Sequence, residues 1–489
     1  MNIELIALQL MAIQGVLGAM DTIYHHELTE ALPQRNSARK ELSIHSIRSI
    51  IYAVLFIGLS AWTWSGMWAW VLILLFSVEI VLTLWDFVVE DKTRLLPPTE
   101  RVMHTILAIN GGAFIALLAL NIPDWIAGPS VFIWAPHGLL SIFLMICGIG
   151  VGLSGIRDGF AAYQLGKNMQ QDNGFAAIHI ANPQENVLVT GATGFIGQQL
   201  VESLLQNKCQ VTIVSRNPKQ AAWAFDGRVR VVETMTELPS DYSVDLIINL
   251  AGARILGPRW SIKRKKLLVK SRVDLTKSIV TWIASAETKP RLLLSASAIG
   301  FYGIQGEGDD SELTEKSPSQ SMFMSDICQQ WEASAQRATD YGVAVNCMRF
   351  GLVLGRQGAL PMMMMPIKLG MGGPLGGGKQ WFSWIHINDL LRAMAHLSKN
   401  NLERPGQAEF AVYNFTAPDT LRQSDFSKIA GQVMHRPSFM PTPGIIMRIL
   451  LGEQSDLLLE GQRVVPEKLL KEGFLFTYPD LHNALSSLK

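Results

Sequence analysis

The chain has 489 residues, a length that predicts two or three domains rather than one. Only 17% of the residues are charged and the mean hydropathy is positive, which indicates a membrane portion. The net charge of +1 gives no overall argument for nucleic-acid binding, and the four cysteines, without a Cys-x-x-Cys pair, predict reduced thiols rather than a disulfide framework or a zinc site.

Five apolar stretches in the first third of the chain are each long enough to span a bilayer, which takes about 20 residues. They predict a bundle of transmembrane helices over residues 3–21, 46–66, 67–89, 103–121 and 137–156. The first stretch has no basic segment before it and no small-residue cleavage site after it. We therefore expect it to remain as an anchor and not to be removed as a signal peptide.

The positions of the basic residues predict the orientation of these helices. Lys and Arg flank the loops between the first and second and between the third and fourth stretches, and they follow the fifth. The opposite side has neither residue type. Because basic loops stay in the cytoplasm, we predict a multi-pass protein of a bacterial-type inner (plasma) membrane, with the N-terminus outside and everything after residue 157 inside.

From about residue 186 short apolar runs alternate with helical stretches. The runs are "NVLVT", "QVTIV", "DLIIN", "RLLLSAS" and "VAVNCMR". This alternation predicts a Rossmann-like, doubly wound parallel α/β sheet. The fold class is therefore multi-domain, with an N-terminal transmembrane helical bundle, an α/β domain and a small α-rich region at the C-terminus.

A glycine-rich loop stands at the start of this sheet, in "VLVTGATGFIGQQL". A strand runs into Gly191, Gly194 and Gly197 and a helix follows at once, which is the context that a dinucleotide-binding loop requires. The glycines allow a tight turn and a close approach of the pyrophosphate to the helix start. The residues predicted to hold the cofactor are Gly191, Thr193, Gly194, Phe195, Ile196, Gly197, Ser215, Arg216, Asn249, Ala251 and Gly252.

The end of the second strand, "TIVSRNP", indicates which dinucleotide binds. A carboxylate at this place would accept a hydrogen bond from the ribose 2′-hydroxyl of NAD. Ser215 and Arg216 instead suit a 2′-phosphate. We therefore predict NADP(H), with a plain surface role for Arg216 as the alternative.

Several separate blocks together resemble a known family over residues 186–489. They are "VTGATGFIG", "NLAGARI", "SRVDLT", "SASAIGFYG", "CQQWE", "MRFGLVLG", "GGKQWFSWIHINDL" and "PEKLLKEGFLFTYPDLHNAL". The chain resembles the extended short-chain dehydrogenase/reductases of the NAD-dependent epimerase/dehydratase superfamily. Within them it is similar to an atypical branch called "epimerase family protein", which ends in a small C-terminal domain of unknown function.

The resemblance implies acid–base chemistry by a Ser, a Tyr and a Lys four residues after the Tyr. Ser297 matches the Ser, but the other two positions fall at Met324 and Cys328, which cannot do this chemistry. Tyr302 and His386 are the candidate replacements for the proton donor. Each has a structural alternative, Tyr302 as an aromatic lining of the pocket and His386 as a core or loop histidine.

The transmembrane stretches carry acidic residues and histidines near one end, which the orientation above places at the cytoplasmic boundary. Three pairs are spaced four apart and therefore share a helix face. Ionisable groups within membrane spans are usually functional, and carboxylates and imidazoles from four helices can hold two iron or manganese ions. The predicted metal ligands are Asp21, His25, Glu41, His45, Asp86, Glu100 and His104. A proton-bearing or salt-bridged network and unrelated interfacial groups remain the alternatives.

These predictions combine into four segments: a transmembrane helical domain (1–157), a juxtamembrane linker (158–185), an NADP-binding reductase-like domain (186–421) and a small C-terminal domain (422–489). We predict a membrane-bound NADP(H)-dependent oxidoreductase that acts on a hydrophobic or lipid-linked substrate, with the two domains handling linked redox steps. The expected partners are the lipid bilayer and a small molecule, not nucleic acid. The alternatives are a membrane-anchored nucleotide-sugar or isoprenoid-linked epimerase or dehydratase, and a non-catalytic scaffold that senses NADPH.

Overall fold

The computed structural model describes residues 3–22, 32, 38–93, 98–172, 178–257, 259–306, 308–403 and 406–489. The chain divides into two compact units, residues 1–175 and residues 176–489, which we call the helical unit and the α/β unit. Each unit has its own buried apolar core.

The helices follow the apolar and amphipathic segments of the sequence. In chain order they are α1 (Ile3–Asp21), α2 (Arg39–Ala61), α3 (Met67–Thr93), α4 (Pro98–Ala119), α5 (Ile122–Ala127), α6 (Leu139–Asp172), α7 (Phe195–Gln206), α8 (Pro218–Ala224), α9 (Ile262–Ser285), α10 (Phe323–Gln336), α11 (Leu360–Lys368), α12 (Ile387–Glu403), α13 (Gln423–Met434), α14 (Gly444–Leu451), α15 (Asp456–Leu459), α16 (Glu467–Lys471) and α17 (Leu481–Ser487).

The strands are short, and most belong to the α/β unit. They are β1 (Trp62–Trp64), β2 (Phe132–Trp134), β3 (Asn186–Thr190), β4 (Gln210–Val214), β5 (Arg230–Val232), β6 (Leu246–Asn249), β7 (Leu292–Ala298), β8 (Ala344–Phe350), β9 (Leu352–Leu354), β10 (Trp381–Phe382), β11 (Trp384–His386), β12 (Phe410–Phe415) and β13 (Leu421–Arg422).

Seven parallel strands form the sheet of the α/β unit, in the order β12-β8-β7-β6-β3-β4-β5. This confirms the predicted Rossmann-like fold. The five strands predicted from apolar runs are β3, β4, β6, β7 and β8, and their buried residues on both faces explain the continuous apolar sequence. The chain reverses its direction of winding between β3 and β6. In sheets of this type, ligands bind in the crevice at that point, outside the carboxyl ends of the strands.

Five described helices of the helical unit are long and apolar enough to cross a membrane: α1, α2, α3, α4 and α6. They correspond to the five predicted stretches, but α2, α4 and α6 differ from them in extent. Helix α2 is Arg39–Ala61 rather than 46–66, so it includes the polar turn of Glu41 and His45 and ends before β1. Helix α4 begins at Pro98, several residues earlier than predicted, because its first turn is polar and gave no apolar signal. Helix α6 continues to Asp172, since no proline interrupts it, so the last predicted span and much of the predicted linker form one helix.

Helices α2 and α6 approach each other closely along a row of glycines. A Cβ atom at Gly148 would lie 2.6 Å from Ile57 Cγ1, and one at Gly155 would lie 2.8 Å from Ser49 Cβ. Gly159 faces the same helix at a similar distance. Small residues let two backbones pack this tightly, which is a common device where apolar helices associate.

Leucine at Gly155 is expected to separate α2 from α6 and to destabilise the helical unit by about 1–3 kcal/mol, as overpacking of a tight contact does. Leucine at Gly150 is the matched control, because a Cβ atom there meets nothing within 4 Å. The measurement is thermal unfolding of the full-length chain in detergent, followed by circular dichroism. Equal midpoints for the two variants would contradict this packing.

Candidate functional site

The loop between β3 and α7 has the shape of a dinucleotide-binding turn. Gly191 has φ +71°, and a Cβ atom there would lie 2.8 Å from the backbone nitrogen of Ala251. A Cβ atom at Gly197 would collide with the carbonyl oxygen of Gly191, so only glycine lets α7 begin this close to the loop. Thr193 and Gly194 are exposed at the start of α7. The first N–H groups of a helix have no intrahelical partners, so this corner suits a pyrophosphate.

The other predicted cofactor residues surround this loop in two ways. Phe195 and Ile196 are partly buried against the core and hold the start of α7 in place. The Asn249 side chain is 1% exposed and bonds within the protein, accepting from Thr190 Oγ1 at 2.7 Å and donating to Thr276 Oγ1 at 2.9 Å. Asn249 therefore holds the end of β3, just before the loop, through its hydrogen bond with Thr190. The backbone that follows β6 lies beside Gly191.

Ser215 and Arg216 follow β4, the strand next to β3. The Ser215 backbone is fixed by a hydrogen bond from its N–H to the carbonyl oxygen of Val232, at 2.9 Å. The Arg216 side chain is exposed and makes no hydrogen bond or ion pair with another residue that the structure describes. Its guanidinium is available at the carboxyl edge of the sheet, where the ribose end of a dinucleotide binds in this fold.

Ser297 lies at the end of β7, as predicted, and its hydroxyl is part of a buried ionic network. Ser297 Oγ donates to Glu332 Oε1 at 2.6 Å. Arg349 donates to the same carboxylate from Nε at 2.8 Å and from Nη2 at 2.7 Å. Ser297 is 2% exposed, Glu332 6% and Arg349 3%. Burial alone lowers the pKa of Arg349, but its bonds to Glu332 outweigh this effect and raise the pKa above its ordinary value.

The register of the sheet brings this network together. Ser297 on β7 lies opposite Arg349 on β8, and Arg349 lies opposite Asn414 on β12. Glu332 comes from the buried face of α10. Sequence reasoning missed Glu332 as a site residue, although a signal was present: it follows Cys328 by four positions and therefore shares the helix face that packs on the sheet.

Tyr302 is held in place by the same network rather than open to a substrate. Its hydroxyl donates to Asn414 Oδ1 at 2.6 Å and accepts from Arg349 Nη1 at 3.0 Å. The residue is 2% exposed, and burial raises the pKa of Tyr302 to about 12 despite the nearby Arg349 charge. A phenol with this pKa is a poor acid near neutral pH, and the hydroxyl hydrogen of Tyr302 is already engaged in the hydrogen bond to Asn414. The geometry therefore favours the structural alternative for Tyr302.

His386 also has a structural environment. Its Nδ1 accepts from the backbone N–H of Asn388 at 3.1 Å, its Nε2 lies 3.3 Å from Ser487 Oγ, and its ring centroid is 3.9 Å from that of Tyr478. Burial lowers the pKa of His386 to about 4, with the Arg356 charge acting in the same direction. The imidazole is therefore neutral and ties β11 to the C-terminal helix α17, which favours the core-histidine alternative.

The positions that the family resemblance gives to a Tyr and a Lys are buried on α10. Met324 is 6% exposed and Cys328 is 1% exposed. Burial, with a further contribution from Glu332, raises the pKa of the Cys328 thiol to about 11. The thiol is protonated and neutral, so it does not replace the cation that a lysine would supply.

The helical unit brings most of the predicted metal ligands into one connected network. They come from the end of α1, the start of α2, the end of α3 and the start of α4. His45 Nε2 lies 3.0 Å from Asp86 Oδ2, and Arg48 Nη1 lies 2.6 Å from the same oxygen. Arg48 also binds Glu79, with Nη2 at 3.1 Å from Oε1. This half of the network is therefore organised around Asp86.

The other half of the network is organised around His104. His104 Nδ1 lies 3.2 Å from Glu90 Oε2, and its Nε2 lies 3.1 Å from Asp21 Oδ2 and 4.0 Å from Glu100 Oε1. Asp21 and Glu100, two of the predicted ligands, thus each lie within ion-pair distance of His104, a third predicted ligand. His25, a fourth predicted ligand, lies outside the described residues.

Among the described residues, one set of side chains has the geometry of a metal site. It consists of Glu41, His45 and Glu90, whose ligand atoms all lie within 4.8 Å of one another. Glu41 and His45 were predicted as ligands, whereas Glu90 was not. Two ions were expected, whereas the described residues form one set of possible metal ligands.

The fold and the glycine loop define an NAD(P)(H)-binding protein of the short-chain dehydrogenase/reductase class. A model of the "NAD dependent epimerase/dehydratase family" matches residues 187–414, and a model of a "domain of unknown function (DUF1731)" matches residues 442–488. The chain is 36% identical over 312 residues to the epimerase family protein YfhF of Bacillus subtilis, a match that covers 62% of this chain and 97% of that relative. The chain belongs to the NAD dependent epimerase/dehydratase family, and the predicted small C-terminal domain of this branch is confirmed.

Two other relatives support the same family assignment. A chloroplastic homolog of epimerase family protein SDR39U1 from Arabidopsis thaliana is 36% identical over 312 residues, which covers 62% of this chain and 87% of the relative. The crystal structure of human epimerase family protein SDR39U1 with NADPH is similar with a TM-score of 0.55 and 32% identity, and the match covers 62% of this chain and 98% of that one. An NAD(P)-dependent enzyme of oxidoreductase or epimerase type is thus supported for the α/β unit.

Replacing Glu332 by alanine is expected to destabilise the α/β unit by about 3–5 kcal/mol, because it leaves the Arg349 charge buried without its partner. The matched control is Glu202→Ala. Glu202 pairs with Arg228 on the surface, where both side chains are more than 40% exposed. That change is expected to cost about 1 kcal/mol or less. Urea unfolding of the full-length chain, followed by tryptophan fluorescence, measures both. Equal losses would show that the buried pair contributes no more than a surface pair.

Proposed function

We propose that this protein is a membrane-bound, NADP(H)-dependent oxidoreductase that acts on a hydrophobic or lipid-linked substrate. The observation that carries the proposal is the loop of Gly191 and Gly197, which fits a dinucleotide pyrophosphate at the start of α7. When bound, a nicotinamide cofactor supplies or accepts a hydride. The part of this chain is to hold the cofactor, orient it at the carboxyl ends of β3 and β6, and bind the substrate beside it.

The preference for NADP(H) over NAD(H) rests on Arg216. Its exposed guanidinium at the end of β4 is suited to bind a 2′-phosphate, and no carboxylate occupies the place where one would select NAD. The human relative, solved with NADPH, supports this choice.

The membrane location rests on the surface of the helical unit. Large apolar side chains face outward along α3, among them Leu74, Val81 and Leu84, each at least 60% exposed. An apolar surface of this extent fits lipid better than water. We propose a bacterial-type inner membrane with the N-terminus outside and the α/β unit in the cytoplasm, as the distribution of Lys and Arg indicates. A reductase joined to membrane helices is suited to a substrate dissolved in the bilayer.

The buried state of Tyr302 and His386 limits the acid–base chemistry of the α/β unit. Ser297 stays the candidate for contact with the substrate oxygen. Its hydroxyl donates to Glu332 in this structure, so the contact requires that hydrogen bond to be exchanged for one to the substrate. In this proposal the proton is exchanged with water rather than with a Tyr–Lys pair. The burial of Tyr302 and His386 also favours a second candidate, a scaffold that binds NADPH without turnover. An epimerase or dehydratase of nucleotide sugars or isoprenoid-linked sugars is favoured less, since it needs a proton donor at the same place.

The proposal includes one metal ion instead of the predicted pair of iron or manganese ions. One metal ion in the helical unit takes the place of two, because the described residues bring one ligand set together. When bound, this ion would be held by Glu41, His45 and Glu90 and would supply a second redox or Lewis-acid centre.

The turnover experiment uses the full-length chain in lipid nanodiscs, supplied with NADPH and with fractions of membrane lipids that bear carbonyl or quinone groups. We expect one lipid fraction to be reduced as NADPH is consumed, and we expect Ser297→Ala to slow this reaction by about tenfold or more. NADPH binding without consumption in every fraction would favour the scaffold. Interconversion of nucleotide sugars without net loss of NADPH would favour the epimerase.

The Arg216→Gln variant is expected to bind NADPH about tenfold or more weakly, because it loses a charge-assisted contact with the 2′-phosphate. Its affinity for NADH should be unchanged. The control is Lys208→Gln, which removes an exposed basic residue just before β4, at the amino end of the strand. Fluorescence titration of both cofactors gives the two dissociation constants. If Arg216→Gln weakens NADH and NADPH equally, the assignment to the 2′-phosphate is wrong.

A further inference from the structure

We propose that Glu41, His45 and Glu90 bind one divalent first-row transition ion in the helical unit. This inference specifies the metal centre of the proposed function, but it does not depend on any reaction of the α/β unit. The three ligand atoms lie within 4.8 Å of one another. Glu41 and Glu90 are fully buried and His45 is 8% exposed. Two carboxylate oxygens and one imidazole nitrogen form a donor set suited to manganese, iron or zinc.

The sequence and the helical hairpin together create this set. Glu41 and His45 are four residues apart in α2, so their side chains lie one above the other on the same face. Glu90 is near the end of α3, which returns antiparallel to α2 after a connection of a few residues. The start of α2 and the end of α3 are therefore at the same end of the helical unit, and their acidic residues meet there.

Asp86 supplies a second, independent observation. Its Oδ2 lies 3.0 Å from His45 Nε2, and its Oδ1 is buried without a hydrogen-bond partner among the described residues. The residue is only 2% exposed. A buried carboxylate oxygen without a donor is unfavourable. A metal ion beside His45 gives this oxygen a partner, either directly or through a water bound to the ion.

Arg48 and His104 position the ligands and are not ligands themselves. Arg48 holds Asp86 through the 2.6 Å contact to Oδ2. His104 has a carboxylate at each ring nitrogen, Glu90 at 3.2 Å and Asp21 at 3.1 Å. Both ring nitrogens of His104 are thus within hydrogen-bond distance of a carboxylate. His104 therefore orients Glu90 toward the site, as outer partners of metal ligands do.

The described network is rich in buried carboxylates, the ligand type that divalent ions prefer. Six carboxylates, each at most 5% exposed, share the network with one guanidinium and two imidazoles. The carboxylates are those of Asp21, Glu41, Glu79, Asp86, Glu90 and Glu100. Carboxylates removed from water require positive charge close by, and a divalent ion supplies two charges at once. The rival explanation is a network neutralised by protonated histidines and basic side chains alone.

Metal analysis of the full-length protein distinguishes the two explanations. The chain is purified in detergent and its manganese, iron and zinc content is measured by inductively coupled plasma mass spectrometry. We expect about one ion per wild-type chain, and at least about tenfold less in Glu41→Gln and Glu90→Gln. The matched control is Asp158→Asn, which alters a carboxylate that is 3% exposed and pairs with Arg157 on α6. This control is expected to keep its metal.

Reloading makes the test independent of how well the variants fold. Wild-type protein treated with a chelator is titrated with Co²⁺, and ligand-field absorption bands are expected to appear and to saturate at about one equivalent. Wild-type protein that contains no ion above a detergent blank and shows no bands with Co²⁺ would overturn the proposal in favour of the protonated network. Equal metal in Glu90→Gln and Asp158→Asn would also overturn it. NADPH consumption by the same preparations reports separately on the reductase function.

Discussion

The guanidinium of Arg349 is almost completely buried, and its charge is met by two hydrogen bonds to Glu332. The α/β unit is arranged around this pairing, because a buried charge without a partner is strongly destabilising. The pair joins α10 to β8 and orders the side chains beside it. Ser297 donates to the same carboxylate, and Tyr302 accepts from the same guanidinium. Groups that resemble catalytic residues in the sequence are thereby fixed in place.

The same constraint acts in the described part of the helical unit, where most of the buried charged groups are carboxylates. There Arg48 binds Asp86 and Glu79, and His104 lies between Asp21 and Glu90. Acidic groups outnumber basic ones among the described members of this network. The α/β unit thus meets the buried charge of Arg349 with an ion pair to Glu332, whereas the described part of the helical unit groups several buried carboxylates, among which we propose that a cation binds.

Several features were predictable because they depend on local sequence. The strands β3, β4, β6, β7 and β8 are continuous apolar runs, and the loop of Gly191, Gly194 and Gly197 has a recognisable spacing. The strands β5 and β12 were missed, since one is three residues long and the other only partly buried. The extent of α6 was also missed, because an apolar pattern ends at the limit of the apolar face while the helix itself continues.

The roles of individual polar residues were less predictable. Tyr302 and His386 were candidate proton donors because of their residue types and their positions after strands. Their partners, Asn414 and Ser487, are more than 100 residues away in the sequence, and contacts with these partners favour a structural role for both side chains. Glu332 and Glu90 were overlooked as site residues for the same reason, since their importance comes from contacts between separate elements.

The sequence by itself determined the class of each unit: five apolar helices, a parallel sheet of Rossmann type and a glycine loop for a dinucleotide. These follow from hydrophobic periodicity and backbone sterics, which act over a few neighbouring residues. Only the tertiary structure decided which buried polar groups face one another. It joined Ser297 to Glu332, and it placed Glu41 and His45 with Glu90. The physical reason is that hydrogen bonds and ion pairs reach about 3 Å, so they depend on how distant segments pack.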